Sequence, residues 1–209
     1  MKNKNSLVLG IGNYKQIINY YDNWSYQYDN TLKKWNYRVP QKASFFLKKT
    51  LTVKPTNLLD LACGTGLFGL EIRKIFPYIR IDGSDISKNI IEEARLKNIY
   101  DNLTICNFDK MPLEKKTYDL ISCIGALTYT RDPKKLFLKI QKMTSSSGHF
   151  IFSHRYDLWK KQDYESMLNL LKKIWTIKFI SNPLLYLPKN KNFLNNIKVK
   201  IVILKKVNH

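Results

Sequence analysis

Residues 58–69 read Leu-Leu-Asp-Leu-Ala-Cys-Gly-Thr-Gly-Leu-Phe-Gly, a short apolar run that ends in a G-x-G-x-x-G spacing and passes into an amphipathic stretch. Such a segment has few uses other than a strand that turns sharply into a helix. Glycine accepts backbone angles closed to other residues and removes the side chain where main chain must approach a ligand. The following helix adds unpaired N–H groups at the same place. The segment therefore predicts a parallel α/β sheet with a ligand at the carboxyl edge of its first strand. The spacing alone does not name the ligand, because dinucleotide-binding enzymes use similar turns.

The rest of the chain agrees with that architecture. From residue 57 onward, short apolar runs alternate with amphipathic stretches, the pattern of βαβ units. Strands are predicted at 58–62, 79–84, 103–106, 118–124, 149–153, 175–180 and 197–204. The first helix carries Leu67, Leu70 and Ile75 inward and closes near Pro77. Ser87 caps a second helix with Ile90, Ile91 and Ala94 on one side and Glu93 supporting Lys97 at i,i+4. Asp132 and Pro133 open a third, whose buried stripe is Leu136, Phe137, Ile140 and Met143. A helix over 164–174 precedes the last two strands, and the segment 182–196, with two prolines and many Lys and Asn, reads as a long exposed hairpin loop. Residues 1–55 are expected to form a helical N-terminal cap belonging to the same domain as a core at 56–209, with one helix around 14–28 and another opened by Pro40 and carrying Ala43, Leu47 and Leu51.

Composition narrows the function classes. The chain has 209 residues, 44% of them hydrophobic, enough for one α/β core and one site. Cys63, Cys106 and Cys123 form no CxxC pair and only three histidines occur, so neither a disulfide framework nor a zinc cluster has its ligands, and no metal is expected. The apolar run 7–11 behind Lys2 and Lys4 is too brief for a signal-peptide core, and no stretch approaches the roughly 20 apolar residues of a membrane span; a reduced, cytoplasmic setting follows. A net charge of +20 invites a nucleic-acid partner. The excess is mostly Lys, spread along the whole chain among abundant Asn, Ile and Tyr, which favours a compositional origin, so nucleic acid is a partner considered but not favoured.

Two carboxylates sharpen the ligand. Asp60 ends the first strand, and Asp85 follows the second glycine at the spacing that places an acid on ribose hydroxyls. A carboxylate at Asp60 would repel a pyrophosphate, whereas beside a sulfonium nucleoside with a free ammonium group it is useful. A second role, accepting the turn's own N–H groups, is compatible with the first.

In sequence order, residues 58–66 match the first motif of the class I S-adenosylmethionine-dependent methyltransferases, Gly83-Ser84-Asp85-Ile86-Ser87 matches their second-strand motif, and Tyr118-Asp119-Leu120-Ile121 matches their fourth strand. Asn107-Phe108 stands where that family carries Asp and an apolar residue around the adenine, and Ser147-Gly148-His149-Phe150 replaces its Pro-Gly-Gly turn. The chain thus resembles a class I methyltransferase from residue 14 to 155. The upstream run from Tyr20 to Asp29, Tyr37-Arg38-Val39-Pro40, and Gly125 to Tyr129 are similar to the methyltransferase-like 27 group and related small bacterial methyltransferases.

The resemblance implies a Rossmann-like three-layer sandwich with a mostly parallel seven-stranded sheet and an antiparallel last strand. It also implies S-adenosylmethionine as cofactor and S-adenosylhomocysteine as product. Carried over residue by residue, the cofactor positions are Asp60, Ala62, Cys63, Gly64, Gly66, Asp85, Ile86, Asn107, Phe108 and Ile124. Tyr28 and Arg38 would close over the methionine end, Arg38 as partner of its carboxylate. His154 is the candidate general base because it follows the fifth strand, or else it packs in the loop; Tyr129 is the second catalytic candidate. Tyr14, Tyr21 and Arg155 are candidates for acceptor binding, although aromatic residues at helical spacing serve equally as core. The N/D-P-P-Y/F segment of amino-methylating DNA enzymes is absent after the fourth strand. The expected function is methyl transfer to an oxygen or nitrogen of a small-molecule acceptor, with an RNA- or protein-directed enzyme, or a non-catalytic cofactor-binding protein, as alternatives.

Overall fold

In the computed structural model, which describes residues 13–113, 116–191 and 197–207, parallel strands surround the glycine segment. The apolar run 7–11 lies outside the described residues. Strands β1 (Asn57–Leu61), β2 (Arg80–Asp85), β3 (Asn102–Ile105), β4 (Tyr118–Cys123) and β5 (Thr144–Arg155) pair in parallel. Strands β6 (Trp175–Ile180), β7 (Leu184–Leu185) and β8 (Lys198–Lys206) complete the sheet. Its order is β3-β2-β1-β4-β5-β8-β6, with β7 also on β8, and β8 runs antiparallel to β5 and β6.

The mostly parallel sheet and its antiparallel last strand are as expected, with one strand more. That strand, β7, falls inside the segment expected to be an exposed loop. The reason is apolar: Tyr186 and Leu187 are buried against the cap side of the sheet, and only the stretch from 192 to 196 lies outside the described residues. Two prolines set the local Lys and Asn content apart from this short buried run.

Strand order reverses between β1 and β4, and at such a switch point the carboxyl ends of the strands open a crevice between diverging connections. Among the described residues, the α-helices α1 (Tyr14–Trp24), α2 (Tyr28–Lys34) and α3 (Val39–Thr50) precede β1. Helices α4 (Leu67–Ile75) and α5 (Lys88–Arg95) follow β1 and β2; α6 (Pro133–Met143), α7 (Tyr156–Lys161) and α8 (Tyr164–Leu170) follow later strands. Ser87 Oγ accepts from Ile90 N at 3.2 Å and the Asp132 carboxylate from Lys135 N at 2.9 Å, so both predicted caps form. The α6 stripe of Leu136, Phe137, Ile140 and Met143 is fully inside.

Two local expectations change. On α4 the buried residues are Phe68, Gly69 and Ile72, while Leu67, Leu70 and Ile75 are half-buried, because the larger Phe68 sets the inward direction. Lys97 reaches the Asp29 carboxylate at 2.8 Å and the Thr65 carbonyl at 2.6 Å, tying α5 to the cap and the glycine turn instead of pairing with Glu93.

The sheet is covered on both faces. Phe137, Phe150, Phe152, Trp159 and Tyr164 fill one side; Leu47, Phe68, Ile72, Ile151, Ile201 and Ile203 fill the other. Side chains alternate along β5, so Phe150 and Phe152 face the first layer and Ile151 the second.

Candidate functional site

Strand β1 delivers Asp60 to the crevice and then breaks into left-handed backbone, with Ala62 at φ 51°, Gly64 at φ 57° and Gly66 at φ 92°. A non-glycine residue held there stores strain of about 1–3 kcal/mol, a frequent mark of a functional turn. At Gly64 the space a Cβ would occupy is bounded only by the Tyr28 ring, its hydroxyl 3.8 Å away, so the main chain is open to a neighbour on that side.

The acid at the end of β2 braces this turn. Asp85 accepts from Gly64 N and from Ser87 N, each at 3.0 Å, one bond to each oxygen. The bond to the turn's own N–H that was open for Asp60 is thus made by Asp85. The Ile86 amide also acts on this carboxylate, which keeps lone-pair capacity for a further donor. Burial raises its pKa, against the lowering pull of the Ser87 and Gly64 amides.

Asp60 is held differently. It is 1% exposed and accepts from Ser122 Oγ at 2.6 Å and Tyr100 Oη at 2.8 Å. Burial raises its carboxyl to about 6, partly offset by those two hydroxyls. Cys63 is buried and its thiol is pushed well up by desolvation, which leaves backbone as its contribution.

A cleft of about 630 Å³, open mouth included, lies over Asp85. Ala62, Gly64, Asp85, Ile86 and Ile124 form its floor, Asn107 and Phe108 one end, and Tyr14, Tyr21, Tyr28 and Tyr129 its wall. A second cavity, sharing Tyr28, Ala62, Gly64 and Ile124 with the first, runs on to Asp60, Cys63 and Tyr37. The two together collect most of the sequence candidates at one sheet edge.

The wall is aromatic and uncharged. Tyr21 and Tyr129 hydroxyls are 3.0 Å apart, and Tyr28 packs edge-on to Trp24 at 4.6 Å. Burial pushes the Tyr21, Tyr28 and Tyr37 phenols well above their usual range, so they stay neutral donors. Tyr14 donates to the Asp109 carboxylate at 2.7 Å, with the Arg131 guanidinium stacked 4.4 Å from its ring centre. Asn107 Oδ1 accepts from Asp109 N at 2.9 Å, which occupies one of the two lone pairs available to an adenine amino group.

Four sequence candidates lie elsewhere. His154 is buried in the opposite layer, stacked on Tyr164 at 4.1 Å with Nε2 3.1 Å from Gln162 Oε1; strand parity carries it away from the cleft. Its pKa is lowered to about 4 by burial. Arg38 is exposed, donates to Asn36 Oδ1 at 2.8 Å and borders a separate outer depression, because it sits just ahead of α3. Arg155 is buried and paired to Asp157 at 2.6 Å, outside the lining of either cavity. Gly66 packs beneath the turn, not on the ligand side.

Sequence reasoning also missed residues. Tyr100 and Ser122 hold Asp60; Asp22 accepts from Ser87 Oγ at 2.5 Å and from Asn89 N at 3.2 Å, docking α1 onto the turn after β2. Gly125, at φ 84°, admits the Tyr37 hydroxyl within 2.7 Å of where a Cβ would stand. Only the Asp22 position carried a visible signal, as part of the cap motif.

The donor set suits a nucleoside bearing an ammonium: two buried carboxylates on one open glycine turn, with an apolar and amide end for a base. Among the described residues, no three potential ligands group to hold a metal, and no helix is long and apolar enough to cross a membrane.

Comparison with known proteins agrees. A family model described as "Methyltransferase domain" matches residues 53–197. Human methyltransferase-like protein 27 is 32% identical over 123 residues, which is 57% of this chain and 50% of that protein. Malonyl-[acyl-carrier protein] O-methyltransferase 1 of Ilyobacter polytropus is 33% identical over 105 residues, 48% of this chain and 38% of that protein. The chain thus spans half or less of the length of these relatives. A solved structure of the plantazolicin methyltransferase BpumL with a monoazolic desmethylPZN analog and SAH superposes with TM-score 0.66 at 17% identity, covering 94% of this chain and 100% of that one. The N-methyltransferase NodS from Bradyrhizobium japonicum, also with SAH, gives 0.59 at 16% identity over 80% and 87% of the two chains. At those identities what is shared is the fold.

Proposed function

Because this chain belongs to the methyltransferase-domain family, we propose that it binds S-adenosylmethionine in the double cleft and transfers the methyl group to an oxygen or nitrogen of a small-molecule acceptor. The observation that carries the reading is the pairing of Asp60 and Asp85 on either side of one open glycine turn.

In this reading Asp85 accepts the ribose hydroxyls with its free lone pairs, Phe108 and Ile86 pack on the adenine, and Asn107 meets its edge. Asp60 faces the ammonium, and Tyr28 closes over the junction of the two cavities. The cofactor, when bound, supplies an electrophilic methyl carbon on a sulfonium. The chain's own task is then to hold an acceptor in line, and orientation of this kind lowers a barrier by up to about 7–11 kcal/mol. Tyr21, Tyr28 and Tyr129 offer neutral hydroxyls for orienting a polar acceptor atom. His154 is too far round the sheet to serve as base, so positioning carries the reaction. The helices before β1, clamped by Asp22 and Asp29, act as a cap of the same structural unit as the core.

The net charge of +20 supports a second reading, in which the acceptor is part of a larger anionic partner, RNA or a protein-carried group. Calorimetry with S-adenosylhomocysteine, then measurement of its production from S-adenosylmethionine across small carboxylic acids, amines and phenols, tests the first reading. Turnover only with a macromolecular acceptor, lost steeply with added salt, selects the second. Uptake of a nicotinamide dinucleotide in place of S-adenosylhomocysteine refutes both.

A further inference from the structure

Resting on the cofactor reading above, we propose that Tyr100 is a positioning residue for cofactor binding. Its ring wedges the glycine turn from behind, and its hydroxyl aims the Asp60 carboxylate at the cofactor's ammonium.

Three glycines make room for one ring. A Cβ at Gly66 would stand 2.9 Å from Tyr100 Cε2, one at Gly69 2.7 Å from its Oη, and one at Gly83 2.8 Å from its Cδ1 and Cε1. Those glycines come from the turn, from α4 and from β2, so the ring is the common wedge between three elements that meet at the site. Two of the three glycines in the motif thus face a side chain of the protein itself, and only Gly64 faces the cleft.

The wedge is anchored on both sides along the chain. Arg73 donates to the Ile99 carbonyl at 2.6 Å, while Asp101 N donates to the Ile81 carbonyl and Ile81 N to the Asp101 carboxylate, each at 2.7 Å. From that base Tyr100 Oη reaches Asp60 Oδ2 at 2.8 Å, and Ser122 Oγ takes the other oxygen at 2.6 Å. Both partners are neutral hydroxyls. They orient the carboxylate without neutralising it, and a buried carboxylate without a counter-charge is costly. A cation entering the second cavity completes the arrangement, which is what the ammonium of an amino-acid nucleoside does. Loss of the Tyr100 hydroxyl leaves Asp60 in the same low-dielectric place with one donor fewer, so the carboxyl takes up its proton more readily and the cation loses its partner.

The test is calorimetric, on the full chain, with two probes: S-adenosylhomocysteine and 5′-methylthioadenosine, which keeps the nucleoside thioether and lacks the ammonium and carboxylate. In the wild type, affinity for the first falls as pH drops below about 6, and affinity for the second, which depends on Asp85 but not on Asp60, falls less over the same range. Tyr100→Phe keeps the wedge and removes the hydroxyl. It is expected to weaken S-adenosylhomocysteine about tenfold at pH 7, to move its pH midpoint upward, and to leave 5′-methylthioadenosine within about twofold. Ser122→Ala, which touches none of the three glycines, is expected to move the midpoint in the same direction and decides the matter if Tyr100→Phe does not fold. An unmoved midpoint in both variants overturns the proposal, and so does equal weakening of the two probes by Tyr100→Phe, the mark of a purely structural ring. Wild-type protein that binds neither probe overturns the cofactor reading first, and this proposal with it.

Discussion

Gly69 offers a substitution whose sign reverses with its neighbour. It lies within α4 at an ordinary helical angle, so alanine there should gain about 1 kcal/mol of helix propensity. The added methyl, however, would meet Tyr100 Oη at 2.7 Å, Tyr100 Cζ at 2.9 Å and Ile99 Cδ1 at 3.0 Å. The Ile99 methyl is the end of a flexible chain and can turn away. The Tyr100 ring cannot, because Gly66 and Gly83 hold its other edges and Asp60 its hydroxyl. Overpacking of this kind costs about 1–3 kcal/mol, and loosening a hydrogen bond to a buried carboxylate adds about 1.5–3 kcal/mol. Net destabilisation of roughly 2–4 kcal/mol follows, or a Tm lowered by roughly 5–15 °C for a chain of this size. In a Tyr100→Ala background the obstacle is gone and only the propensity remains, so Gly69→Ala should then raise Tm by about 2–4 °C. Thermal unfolding of the four proteins by circular dichroism measures this cycle. An unchanged or higher Tm for Gly69→Ala alone, or a fall of equal size in both backgrounds, refutes the wedge.

Two further outcomes test the site from other directions. Asp85→Asn puts an amide NH₂ against either Gly64 N–H or Ser87 N–H, both now 3.0 Å from a carboxylate oxygen, and removes the charge from the ribose contact. S-adenosylhomocysteine and 5′-methylthioadenosine should both weaken by about 2 kcal/mol, some 30-fold, by calorimetry; wild-type affinity for either defeats the ribose assignment. His154, whose folded pKa is depressed to about 4, contributes stability that is present above its unfolded pKa of about 6.5 and lost as pH falls from there toward 4. Up to about 3 kcal/mol is at stake over that window. His154→Phe should therefore lose less stability than the wild type between pH 7 and 4 in urea titrations and keep wild-type cofactor affinity; parallel pH curves contradict the buried, neutral histidine.

Much of the fold was legible because its signals are local. An N-cap such as Ser87 or Asp132, a Pro at the first helical turn and a glycine turn after an apolar run each act within a few residues. The period of α6 likewise needed no tertiary information. Segment 182–196 misled because abundant Lys, Asn and Pro describe its exposed part, while Tyr186 and Leu187 answer to an apolar surface presented by residues far away in sequence. Lys97 departed from its helical partner for a similar reason: Asp29 lies on the cap, 68 residues earlier. The carboxylates of the cleft were readable as spacings from glycines, but their supports were not. Tyr100 and Ser122 sit 40 and 62 residues from Asp60 and carry no motif, and the glycines that admit Tyr100 read as ligand glycines until the ring is seen behind them.

Strand β5 decides what chemistry is open to the cleft. Placing His154 at the carboxyl edge of the sheet was correct along the strand, but the edge has two faces. In a strand buried on both sides, apolar residues occupy consecutive positions and conceal the alternation; Phe150, Ile151 and Phe152 are all fully buried. Phe150 and Phe152 pack beside Phe137 and Tyr164, so the residue two further on must follow them, and His154 stacks on Tyr164. Ser153, on the other parity, accepts from Gly125 N at 2.8 Å and so fixes the turn after β4 that faces Tyr37 and Tyr186. Among the described residues that line the two cavities, Tyr14, Tyr21, Tyr28 and Tyr37 are pushed above their usual range, Asp85 is committed to the glycine turn, and Asp60 is held by Tyr100 and Ser122. Asp60, although raised to about 6, is assigned in the proposed reading to the cofactor's ammonium, so the leverage the proposed site has over methyl transfer is the placement of the two reactants.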